Sequence, residues 1–109
     1  MLYLEGNTIR LTRGDTAFLS VPIVRADTGE PYDLAEGDTL EFSLKKYTSD
    51  EEPIFQKKII GGNTFTIRPD DTSGLRFGKY KYDVQLTTAQ GHVFTVIEAS
   101  VFEVMEEVT

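Results

Sequence analysis

Residues 79–88 read Lys-Tyr-Lys-Tyr-Asp-Val-Gln-Leu-Thr-Thr. In an extended chain successive side chains point to opposite faces, so Tyr80, Tyr82, Val84 and Leu86 share one side. Lys79, Lys81, Asp83, Gln85 and Thr87 share the other. So clean a period of two predicts a strand that buries one face and lies centrally in its sheet.

The same alternation recurs upstream. Ile9 and Leu11 alternate with Thr8 and Arg10. Ala17, Leu19, Val21 and Ile23 follow at the same spacing, and Leu40, Phe42 and Leu44 alternate with Glu41, Ser43 and Lys45. Ile54–Ile60 and Phe65–Ile67 read as two more strands, joined as a hairpin through Gly61-Gly62-Asn63, where glycine tolerates positive φ. Downstream, Ala89-Gln90-Gly91 turns the chain into His92–Val104. Val93 and Ile97 there oppose Phe94 and Val96 in parity before Phe102 and Val104 take over, so a bulge or a change of sheet is expected near Glu98–Ser100. Pro22 cannot donate to a ladder and sets its strand at an edge or bulge. The loops 26–31, 48–53 and 69–74 are rich in turn formers, and helical periodicity is nearly absent.

About seven short strands with polar turns predict an all-β fold, an antiparallel β-sandwich, with a small barrel as the alternative. The 109 residues fit a single domain, 1–109, either a whole small protein or the N-terminal module of a longer one. Apolar residues at 39%, with seven Phe and five Tyr, supply enough core to offset chain entropy. A net charge of -7 repels phosphate, so nucleic acid and anionic membrane are poor partners. Without cysteine there is no disulfide, thiolate nucleophile or cysteine-based zinc site. The N-terminus lacks the basic start and apolar run of a secretory signal, and no segment is apolar for long enough to span a bilayer as a helix. Synthesis in the cytoplasm is therefore expected.

Several residues invite a chemical reading. Arg13-Gly14-Asp15 is the tripeptide that adhesion ligands present to integrins, yet it arises by chance in about one chain in fifty of this size. Gly37-Asp38-Thr39 precedes a strand just as Gly14-Asp15-Thr16 does, which predicts a turn glycine, an Asp that bonds backbone N–H groups and a strand-opening Thr at both places. His92 has no partner motif for acid–base work and reads as a surface residue. The acidic groups Asp50-Glu51-Glu52, Asp70-Asp71 and Asp27, Glu30 and Asp33 match no calcium-loop spacing and read as solvated loop charge. Tyr3, Tyr32, Tyr47 and Phe77 lie outside the inward sets and could serve a glycan platform, although the chain has no Trp. Phosphate-loop, dinucleotide, kinase and metalloprotease motifs are missing, so no catalytic, metal or cofactor residues are assigned.

Leu75, Gly78 and Tyr80 form Leu-x-x-Gly-x-Tyr ahead of the long strand. This resembles the tyrosine corner of immunoglobulin-like and fibronectin-like sandwiches, with Tyr82 where antibody domains carry a disulfide Cys. The resemblance implies a buried Tyr80 ring whose hydroxyl bonds nearby backbone. Three longer segments extend the likeness: Ile9–Leu19; Asp27–Leu34 leading to Gly37–Lys46; and Asp71–Leu75 followed by Gly78–Leu86. Their order and spacing resemble the small immunoglobulin-like modules at the N-terminus of upper baseplate and tail-fibre proteins in phages and prophages of Gram-positive bacteria. That likeness implies a non-enzymatic structural or adaptor module of a virion, present in several copies as a homo-oligomer and contacting other tail proteins. Leu2, Tyr3 and Leu4 are the first choice for partner contacts, with an ordinary edge strand as the plainer reading. A glycan- or cell-surface-binding sandwich is the alternative function.

Overall fold

The computed structural model describes residues 7–24, 27–32, 34–60 and 62–106, together with the backbone of 2–5. In chain order the elements are β1 (Leu2–Glu5), β2 (Thr8–Thr12), β3 (Ala17–Ser20), β4 (Thr39–Lys45), β5 (Phe55–Ile60), β6 (Thr64–Ile67), α1 (Pro69–Ser73), β7 (Gly78–Thr87) and β8 (Val93–Met105). Six strands form one sheet in the order β1-β2-β8-β7-β4-β5, and β3 pairs with β6 in a second. The strand built on residues 79–88 thus lies inside the larger sheet, between β4 and β8.

The inward rows of both sheets meet in one core. Leu40, Phe42, Leu44, Tyr82, Val84, Phe102 and Val104 of the larger sheet pack with Ala17, Leu19, Phe65 and Ile67 of the smaller. Phe42 is the hub: its ring stacks on Tyr82 at 5.2 Å and on Phe55 at 5.9 Å, and meets Phe65 at 5.8 Å and the edge of Phe102 at 6.1 Å. Offset and edge-on aromatic pairs add roughly 0.5–1.5 kcal/mol each beyond area burial, so β4 ties both halves of the sheet to its cover.

Four expectations are corrected. β2 runs parallel to β8, with Ile9 opposite Phe102 and Leu11 opposite Val104, so the larger sheet is mixed rather than antiparallel. Period-two patterning fixes which face is buried but carries no direction, and here residues 13–92 separate the two parallel strands. The Gly61–Asn63 link is not a hairpin, because β5 pairs with β4 while β6 pairs with β3, and the link crosses between sheets. Gly61 itself lies outside the described residues. Finally, residues 69–73 form a short helix where a loop was expected. Pro69 starts it, and Asp71 Oδ2 accepts the Arg68 N–H at 2.7 Å, which serves one of the donors a helix start leaves open. Among the described residues there are also eight strands rather than about seven, because the N-terminal segment contributes β1 as well as β2.

The register between β7 and β8 slips twice, between Tyr82 and Val84 and between Val84 and Gln85. The first slip inserts an extra β8 residue between Ile97 and Ser100, where the mixed parity predicts a bulge; the second falls between Thr95 and Ile97.

Candidate docking cleft

β3 ends at Ser20, ahead of Pro22, and the described residues 21–24 and 27–32 leave the small sheet as a flap. Its base is fixed where the Val21 N–H donates to the Asn63 carbonyl at 2.8 Å. Across the flap, the Tyr32 N–H donates to the Ile23 carbonyl at 2.8 Å, and Val24 bridges Pro31. Gly29, at φ 72, lets the tip reverse in a backbone region that side chains disfavour. The Tyr32 hydroxyl then donates to Asp38 Oδ2 at 2.9 Å.

Asp38 is the bracket of this end. Its carboxylate also accepts the Ala35 N–H at 2.9 Å and the Ala89 N–H at 3.2 Å, joining the flap, the entry to β4 and the β7–β8 turn. The Ala35 bond above all, then the Tyr32 hydroxyl, holds its carboxyl below the usual range against the opposing effect of burial. Gly37 sits at φ 89 with a Cβ position 2.9 Å from the Ala89 methyl, so even alanine would collide there.

The small sheet does not cover all of the large one. Beyond Leu86 the inward face of β7–β8 runs out from under β3 and β6. Phe94, opposite buried Leu86, is 52% exposed; Val93, on the other face opposite Thr87, is 57% exposed. Between this face and the flap lies a cleft of about 720 Å³. Pro22, Ile23, Val24 and Tyr32 form one wall, and Leu86, Phe94 and Val96 the other; Asp27, Thr88 and Thr95 supply the polar groups. An exposed apolar concavity is the kind of surface on which a ligand or partner can pack.

The strand beside the cleft is open. β2 covers only Phe102–Met105 of β8, so among the described residues 93–101 have a strand neighbour on the β7 side alone. Charge is uneven too. Eight of the eleven Lys and Arg fall in residues 45–81, whereas residues 82–109 hold five carboxylates and no Lys or Arg.

The other residues singled out from sequence are dispersed. The Arg13 guanidinium lies 4.3 Å from the centre of the Phe77 ring and donates to the Leu75 carbonyl at 3.3 Å; the Gly14 N–H donates to buried Thr72 Oγ1 at 2.9 Å. The tripeptide is therefore a bend pinned to α1 and the segment after it. Tyr80 is buried, its hydroxyl donates to the Arg76 carbonyl at 2.7 Å, and Gly78 takes φ 138. Leu75 closes the turn after α1 through its N–H to the Thr72 carbonyl at 2.9 Å. Tyr82, on the same face, donates its hydroxyl to the Asn7 carbonyl, and burial raises its pKa. His92 is exposed at the hairpin, edge-on to Phe94.

Asp50 accepts the Tyr47 N–H at 3.0 Å, and Asp71 pairs with Lys57 at 2.8 Å. Among the described residues no cluster of three or more His, Asp or Glu is placed to hold a metal ion. Tyr47 and Phe77 are exposed, and neither lines the cleft that Tyr32 walls. Asp33 and the side chains of Leu2, Tyr3 and Leu4 lie outside the described residues, although the backbone of the latter three forms part of β1. Among the described residues no helix is long and apolar enough to cross a membrane.

The chain matches no protein-family model and no curated protein. The sequence places Ile23 in an inward row and Phe94 in the mixed-parity segment, and assigns neither of them, nor Val24, to a site. Their signal was the double parity of 93–97: apolar side chains on both faces of a strand mean that one row lacks a cover.

Proposed function

We propose that this chain is a non-enzymatic, immunoglobulin-like adaptor module of a phage or prophage tail or baseplate appendage, docking neighbouring virion proteins through the cleft. The observation that carries the docking role is the apolar concavity at the flap, faced by exposed Phe94 and Val24. Support for the immunoglobulin-like reading comes from chain order: β4, β7 and β8 share one sheet while β3 and β6 face them, as strands C, F and G face B and E in such sandwiches. The Tyr80 bond to Arg76 occupies the place of the tyrosine corner. One departure is that β1 and β2 join the larger sheet, leaving the smaller with two strands among the described residues. The tail assignment rests on the likeness of the three long segments, and assembly in several copies on a virion goes with it.

Mass spectrometry of particles purified from a producing or induced host tests the assignment. The chain is expected in the tail fraction, and Phe94→Lys, at an exposed position, is expected to reduce its incorporation. Recovery of the chain only in the particle-free lysate would sink the reading. Tyr47, 63% exposed beside Lys46, favours a glycan-binding alternative. Saccharide binding on a glycan array, lost in Tyr47→Ala, would favour it over assembly.

A further inference from the structure

We infer that residues 93–100 of β8 accept an extended, cationic segment of a partner protein as an added strand, its inward side chains entering the cleft. The proposal rests on the cleft being a docking surface and adds how a partner engages it and with what chemistry.

Hydrogen bonding supplies the template. A strand with a neighbour on one side turns alternate N–H and C=O groups outward, where another chain can pair with them. Along 93–101 no described strand takes that side. Added strands gain affinity from main-chain bonds and selectivity from pockets for alternate side chains, and here the pocket lies directly beside the edge.

Charge selects the occupant. Glu98 is the sole ionised side chain in 93–100, Asp27 lines the cleft, and residues 82–109 carry no Lys or Arg. A second copy pairing β8 to β8 would bring two such edges together, each on a chain of net charge -7, and like charges across an interface are costly. A lysine-bearing segment meets the opposite field. The two register slips act in the same direction: they twist this edge away from a flat ladder. A preformed strand of a folded copy fits such a path poorly, whereas an unstructured segment can follow it.

Calorimetric titration of the full chain with a synthetic peptide of alternating lysine and valine, about ten residues long, tests this. Controls are the glutamate–valine peptide and a lysine–valine peptide N-methylated at alternate residues, which cannot complete the ladder. The expected result is binding at least about tenfold tighter than to either control, with amide exchange slowed at 93–100. Phe94→Lys and Val93→Lys, both at exposed positions and checked for unchanged melting, should each weaken it about tenfold. Equal binding of all three peptides, no binding, or no protection at 93–100 would overturn the proposal. So would self-association of the chain that either lysine variant abolishes. Particles that carry the chain while these titrations fail would leave the adaptor role standing without this mode of engagement; the converse would separate the two the other way.

Discussion

Two open stretches of edge in the larger sheet, β5 and residues 93–101 of β8, are built differently. β5 is an edge strand that carries two lysines: Lys57 pairs with Asp71 at 2.8 Å, while the more exposed Lys58 lies 3.8 Å from Glu41. Lysines on an edge deter pairing, because an incoming strand must desolvate or displace them. Residues 93–101 of β8 carry no lysine and expose Val93 and Phe94 beside a cleft. One edge carries cations and the other carries none. An edge can therefore be read by its charges as well as by its hydrogen bonds.

The hub that serves both edges should show the largest effect. Phe42→Ala removes the ring that contacts Phe55 toward β5 and Tyr82 and Phe102 toward β8, and is expected to cost about 3–5 kcal/mol in urea unfolding. Hydrogen exchange should then rise at both edges; a rise confined to β5 would show that the halves are held independently.

Asp38→Asn comes next. The carboxyl of Asp38 is depressed in the folded chain, so the stability it contributes is present above the unfolded value near 3.9 and is lost as pH falls through the folded one. At pH 7 the variant should melt below the parent, and the gap should close under acid below about pH 4. A constant gap would assign the effect to shape rather than charge.

Tyr80→Phe should lower stability by about 1 kcal/mol, the worth of one hydrogen bond to backbone, without opening either edge. Replacing Lys57 and Lys58 together by Thr should change stability by less than about 1 kcal/mol yet promote concentration-dependent association in light scattering, since the guard of β5 is gone. Unchanged scattering would remove the contrast between the edges. The smallest effect is expected at Asp83, across from the first β8 bulge. Burial, more than the neighbouring charges, raises its pKa, so the ionised form is disfavoured; Asp83→Asn should melt slightly higher at pH 7, with the gain vanishing in acid as the parent protonates.

Much of this architecture was legible in residues. Tyr80, Tyr82, Val84 and Leu86 are buried as their spacing predicts, and the bulge falls where β8 changes parity. The repeat of Gly-Asp-Thr turned Arg13-Gly14-Asp15 into a bend, and Gly14 and Gly37 share φ values of 85 and 89. Pairing partners were not legible. β5 meets β4, where Phe55 stacks on Phe42, a contact between positions that no local pattern links. The cleft escaped for the same kind of reason: Phe94 is apolar in any strand, and only the short reach of β3 and β6 leaves it uncovered. The helix at 69–73 is too brief to show a period, although Pro69 and Asp71 mark its start.

The parallel union of β2 with β8 has a geometric corollary. Leu2 faces Leu11, and Leu11 faces Val104, so the described chain begins and finishes at one pole, about 10 Å apart across a single intervening strand. The cleft opens toward the other pole, where β8 starts. Any tether joined near Leu2 or Met105 therefore holds the body from behind and leaves its mouth facing outward.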